Sequence, residues 1–289
     1  PEGIDCQRCH GLGQEHVNAA QGGRASLEQV RAAILNPARL SPERQMEVCM
    51  QCHLETTSFR LPHSLVRFRR GVFSYRPGEP LADYVLHFDH PPGTRYDDKF
   101  EIAHAAYRLR KSACLQKSAG RMTCTTCHNP HDVPRGAEAA RHYTGVCRGC
   151  HEPALEALVR VGRHTRSSDC LACHMPKRRT EDVVHVVMTD HFIQRHRPPR
   201  DLLAPLAERH DTAETAYQGE VKLYYPPALP MTAEDELDLA VAQVKHNANL
   251  SGGIPRLEAA IGKHRPARHE YYFELAEACW SAGQRDRAL

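Results

Sequence analysis

Apolar positions recur with a helical period mainly near the C-terminus of this 289-residue chain. The runs TAEDELDLAVAQVKH and EYYFELAEACW place apolar residues three and four apart, the mark of amphipathic helices. Upstream, KFEIAHAAYRLRKSACLQK predicts a further helix around Phe100 to Lys117. Residues 54–123 otherwise mix Arg, Pro, Gly and aromatic residues with little period, and predict loops and short strands. The β-branched run EDVVHVVMTDHFIQ (181–194) predicts a short strand or turn, and 198–232, with RPP and YYPPALP, a Pro-rich strap. No stretch reaches the roughly 18 apolar residues of a membrane helix.

Cysteine changes the picture. Ten of the 12 cysteines fall in five C-x-x-C-H motifs: CQRCH, CMQCH, CTTCH, CRGCH and CLACH. Chance placement predicts about 0.03. Two thiols three apart lie on one side of a helical turn and can add to the two vinyl groups along one porphyrin edge. The His that follows offers its imidazole to the iron. Zinc sites need no His after every Cys pair, redox pairs come singly, and disulfide frameworks belong to shorter chains. The pattern therefore predicts five covalent c-type haems. Their thioethers are Cys6 and Cys9, Cys49 and Cys52, Cys124 and Cys127, Cys147 and Cys150, Cys170 and Cys173. Their proximal ligands are His10, His53, His128, His151 and His174.

The last three proximal histidines stand 23 residues apart twice over, against gaps of 43 and 75 before them. A dense three-haem segment thus follows a looser two-haem one. The expected fold is mainly α with much irregular loop. A haem-cored multihaem cytochrome c domain fills 1–205, a Pro-rich strap or linker 206–232, and a helical region 233–289. Porphyrins as interior bodies account for a single Trp and only 6% aromatics. A net charge of +3 is too balanced to suggest nucleic acid. The basic clusters Arg67–Arg69–Arg70, Arg108–Arg110–Lys111 and Lys177–Arg178–Arg179 suit haem propionates or solvated faces.

Distal ligands must come from the remaining histidines. His16 and His131 follow His10 and His128 too closely to pass around the same porphyrin, so as ligands they serve other haems. His104 shares a helix face with Ile102, Tyr107 and Lys111 and is a further candidate, with His185 in reserve. Met175 is expected to pack. Cys114 and Cys279 leave free thiols or one disulfide open. His63, His87, His90 and His142 are expected at the surface or on propionates, and His210, His246, His264 and His269 in solvent.

CQRCHGLGQEHV, CTTCHNPH and HTRSSDCLACHMPKRRTEDVVHVVMTDH resemble multihaem cytochromes c. The superfamily concerned contains the tetrahaem cytochrome of ammonia oxidisers, pentahaem nitrite reductase and hydroxylamine oxidoreductase. The resemblance covers most of residues 1–195 and implies His16, His131, His164 and His191 as distal ligands. Two departures matter. The tetrahaem relatives carry haem sites ahead of the CHGPG-like motif, so His16 is expected to serve a haem on a preceding segment. Nitrite reductase chemistry loses its warrant because C-x-x-C-K does not occur here.

In the C-terminal region Leu239, Ala240 and Ala242 recur as Leu275, Ala276 and Ala278. This spacing resembles tetratricopeptide repeats, with an ordinary helical hairpin as the alternative, and implies that the polypeptide continues. The expected function is electron transfer through mostly bis-His haems in the periplasm or outside the cell. The partners would be redox proteins, a membrane complex or further copies. The first haem is expected at an edge, as a contact site. The alternatives are a reductase with one open haem, or a subunit of an extracellular cytochrome filament.

Overall fold

The computed structural model describes residues 4–56, 61–94, 96–166, 169–208 and 217–289. Among them no helix is long and apolar enough to cross a membrane. Helix predominates, with two small sheets. The chain divides into two compact units: 1–53 with 76–78 and 102–206, and 54–75 with 79–101 and 207–289. Residues 54–75 and 79–101 thus group with the C-terminal helices, whereas a single cut in sequence would leave them with the haem motifs. His210 lies outside the described residues.

The first unit holds nine helices among the described residues: α1 (Gln7–His10), α2 (Gln14–Gln21), α3 (Leu27–Ala32), α4 (Pro42–His53), α5 (Ala105–Arg110), α6 (Ala113–Gln116), α7 (Cys124–Cys127), α8 (Gly136–Arg160) and α9 (Cys170–His174). Ser26 and Gln29 form a capping box that starts α3. The helix expected over 100–117 is broken into α5 and α6. At the break Ser112 is extended, its Oγ accepting from Ile193 N at 2.8 Å and donating to His191 O at 3.2 Å. A tertiary staple thus outweighs local helix propensity.

The segment Ser112 holds is built around Asp190. The expected strand appears as Val187–Thr189, antiparallel to Lys177–Arg179 with Arg178 opposite Met188. Asp190 accepts from Arg108 Nε at 2.9 Å and Nη2 at 2.6 Å, and Arg178 approaches to 3.8 Å. Arg108 and Asp190 are both buried, so losing either partner costs about 3–5 kcal/mol. Arg179 bonds the carbonyls of Val184, Leu203 and Ala204.

In the second unit Ser64–Val66, Val85–Asp89 and Lys222–Tyr225 make an antiparallel sheet in that order, the last strand arising within the expected Pro-rich strap. Helices α10 (Ala233–Val244), α11 (Leu250–His264), α12 (Glu270–Ser281) and α13 (Arg285–Ala288) pack each on the next. Thr232 and Asp235 cap α10. A Cβ on Gly253 would meet Gln243 and Val244 at 2.8 Å, so glycine is what lets α11 approach α10. Leu65, Leu86, Phe88, Ala240, Val241, Leu257 and Ala278 belong to one apolar core.

Arg67 lies in this unit, its guanidinium on Asp235 at 2.7 Å and Asp238 at 3.0 Å, and Tyr271 donates to Asp238 at 2.9 Å. Arg69 bonds Glu234, and Arg70 stacks on Tyr84. Arg67, Arg108 and Arg178 are therefore interior ion-pair partners of Asp and Glu rather than a solvated face. None of the 12 cysteines is paired in a disulfide, and Cys279 is buried and Cys114 half-buried. His87 and His90 are buried, not superficial, with His90 stacked on Tyr96 at 3.9 Å.

Candidate haem-attachment centre

Every motif is wound into a helical turn. Cys6 caps α1 in helical geometry, Cys49–His53 close α4, Cys124–Cys127 form α7, Cys147–His151 lie inside α8, and α9 is the fifth motif itself. The turn sets both thiols of each pair on one side. All ten motif thiols are exposed or half-exposed. Helices α1, α7, α8 and α9 bury no side chain at all, although α8 runs for 25 residues.

The motif helices pack in chain order: α1 on α4, α4 on α7, α7 on α8, α8 on α9. The thiols follow the same order. Burial and then Cys49 and Cys52 push the Cys9 thiol up. Cys49 and Cys124 share a hydrogen bond that lowers the first thiol and raises the second. Burial, Cys114 and Cys150 raise Cys127. Burial, followed by Cys170, pushes Cys147 up to about 11.

Among the described residues, three proximal rings face a second histidine. His10 and His131 have ring centres 5.8 Å apart and planes 16° from parallel. The His128 and His191 rings lie 6.1 Å apart at 35°, and those of His164 and His174 6.3 Å apart at 11°. Two imidazoles on opposite sides of one metal, each bonded at about 2 Å, have ring centres about 6 Å apart.

The hydrogen bonds orient these rings. His10 Nδ1 donates to Leu35 O at 2.8 Å, His174 to Gln194 O at 2.7 Å, His164 to Thr165 O at 2.8 Å and His191 to Thr189 O at 3.2 Å. A carbonyl only accepts, so Nδ1 carries the proton and Nε2 keeps its lone pair for a metal. His16 makes the same bond, to Val30 O at 2.8 Å. Burial lowers His128 and His191, with His53 adding to both through its charge.

The remaining candidates are placed differently. His53 and His151 are exposed, as are His131 and His185. His104 is fully buried, its ring edge-on to Tyr107 at 5.0 Å. Sequence reasoning missed Tyr143, whose hydroxyl sits 3.1 Å from His128 Nδ1. His142, expected at the surface or on a propionate, is exposed, and its Nε2 donates to Cys127 O at 3.0 Å. Neither carries a motif signal; only the winding of α8 beside α7 brings them there.

A family model described as the doubled CXXCH motif matches residues 117–156, which hold the third and fourth motifs. The multiheme cytochrome MtrA of Shewanella baltica (strain OS185) is 23% identical over 156 residues, 52% of this chain and 42% of that protein. These likenesses support a multihaem c-type cytochrome. No solved structure matches this chain. The matched stretch spans less than half the length of the MtrA protein.

The residues present fit the group: paired thiols on one side of a turn, and histidine ring pairs about 6 Å apart whose Nδ1 protons are taken by carbonyls at His10, His164, His174 and His191. The five Cys pairs would hold the porphyrins by thioether bonds and the motif histidines would bind the irons.

Proposed function

We propose that this chain holds five covalent c-type haems and passes electrons along them in the order of their motifs, in the periplasm or outside the cell. Haem iron held this way takes up and releases one electron at a time. The single observation that carries the reading is the serial packing of α1, α4, α7, α8 and α9, with neighbouring thiols at each step. His10 with His131, His128 with His191, and His174 with His164 are the proposed axial pairs. His53 and His151 draw on the remaining candidates, His16, His104 and His185. Two imidazoles per iron leave no open position for substrate, which favours conduction over catalysis. The successive packing of α10–α13 supports a tetratricopeptide-like docking region for redox partners.

Intact mass of matured holoprotein should exceed the polypeptide by five haems. A substoichiometric pulse of reductant should distribute its electrons over several haems within the mixing time of a stopped-flow instrument. An electron that stays on one haem for seconds, in protein of correct mass, would overturn conduction.

A further inference from the structure

The fifth motif has a neighbourhood unlike the first. His174 and Gln194 exchange two hydrogen bonds, Gln194 N to His174 O at 2.9 Å and His174 Nδ1 to Gln194 O at 2.7 Å. Arg195, His196 and Arg197 follow directly, and all are exposed. Chain geometry keeps Arg197 within about 11 Å of Gln194, close to one Debye length. On the other side of the pair, His164 is preceded by the exposed Arg163.

Two neighbouring carboxylates are already paired with arginines, and Asp169 and Asp201 are held by backbone amides. Glu152 and Glu156 take Arg148 and Arg166, and Asp169 accepts from the amides of Leu171 and Ala172. Arg163, Arg195 and Arg197 are exposed, and none of the ion pairs formed among the described residues around this motif includes them. Around the first motif Asp5, Arg8 and Glu15 leave no such excess.

We infer that Arg163, Arg195 and Arg197 form a docking rim for an acidic redox protein, so that electrons are exchanged with partners at the fifth haem. This rests on the proposed five-haem conduit. A concentrated cationic rim beside the cofactor steers an anionic surface to it and speeds encounter. A protein suits it better than a membrane. The strip QRHRPPR offers no Leu, Ile, Val, Met, Phe, Tyr or Trp to insert and fewer cations than the about 4–8 of lipid-binding clusters.

The test is stopped-flow reduction of the oxidised five-haem holoprotein by dithionite-reduced flavodoxin, an acidic probe, across ionic strength. The second-order rate should fall steeply with salt. Arg195→Glu with Arg197→Glu should lower the low-salt rate by about tenfold and flatten the salt dependence. Arg24→Glu with Arg31→Glu, an equal charge change at exposed positions elsewhere in the unit, should change the rate far less. Midpoint potentials and reduction by uncharged reduced flavin should be the same in all three proteins. Equal flavodoxin rates would overturn the docking rim. So would a shifted potential of one haem at an unchanged rate, which would assign the arginines to its propionates. Binding to phosphatidylserine vesicles lost in the variant, with flavodoxin rates unchanged, would overturn it in favour of a membrane. Failure of the conduit itself would appear separately, as electrons trapped on one haem.

Discussion

Tyr143 is placed to act on the proposed third haem through the second nitrogen of His128. His10 and His174 give their Nδ1 protons to backbone carbonyls, which no substitution removes. His128 instead meets a hydroxyl, 3.1 Å away. If Nε2 binds iron, as proposed, Nδ1 is protonated and the phenol oxygen accepts. That bond makes the imidazole a stronger donor and favours ferric iron. Tyr143→Phe should therefore raise the midpoint potential of one haem and leave the others in place, with unchanged far-UV circular dichroism. A spectroelectrochemical titration that superimposes on wild type would remove Tyr143 from this role. The five C-x-x-C-H motifs stand out in the sequence because each is complete within five residues. The arginines were misleading for the opposite reason: Arg67 and Arg108 find Asp235, Asp238 and Asp190 far along the chain, and nothing local announces those partners.

At the scale of elements, local pattern predicted helices well where they pack along one face, as in α10 and α12, and failed where a distant segment cuts in. Ser112 ends α5 because Ile193 and His191 need its hydroxyl. The strands at 64–66, 85–89 and 222–225 pair across long stretches, which is why the Pro-rich strap concealed one of them. Helix α10 also carries a consequence for pH. Burial pushes Asp238 up to about 6, against the opposing pull of Tyr271 and Arg67. A carboxyl whose folded pKa is raised lends stability that is full below its unfolded pKa, about 4, and is lost as pH rises through about 6. Trp280, the only tryptophan, lies on α12, so its fluorescence follows this unit. The thermal midpoint seen by Trp280 should fall between pH 4.5 and 7, and Asp238→Asn should show a smaller fall. Equal slopes in both proteins would mean that Asp238 does not titrate in this window.

For the molecule as a whole, the order of the sites is the functional statement, and order makes a prediction that site count does not. If the five attachment sites form one series, removing an inner site divides the conduit, whereas removing a terminal one only shortens it. Cys147→Ala with Cys150→Ala removes the fourth attachment, between α7 and α9. Cys6→Ala with Cys9→Ala removes the first. Each variant should mature with four haems. Oxidised by a small inorganic oxidant, the variant lacking the first site should react as one pool, like wild type. The variant lacking the fourth should split, with about one quarter of its absorbance change in a separate phase belonging to the isolated fifth haem. A branched or clustered arrangement predicts no such difference, because every remaining haem would keep a second neighbour. Two variants with identical single-phase oxidation would therefore refute the series while leaving the haem count intact. A split in the first-site variant alone would place that site inside the conduit rather than at its end.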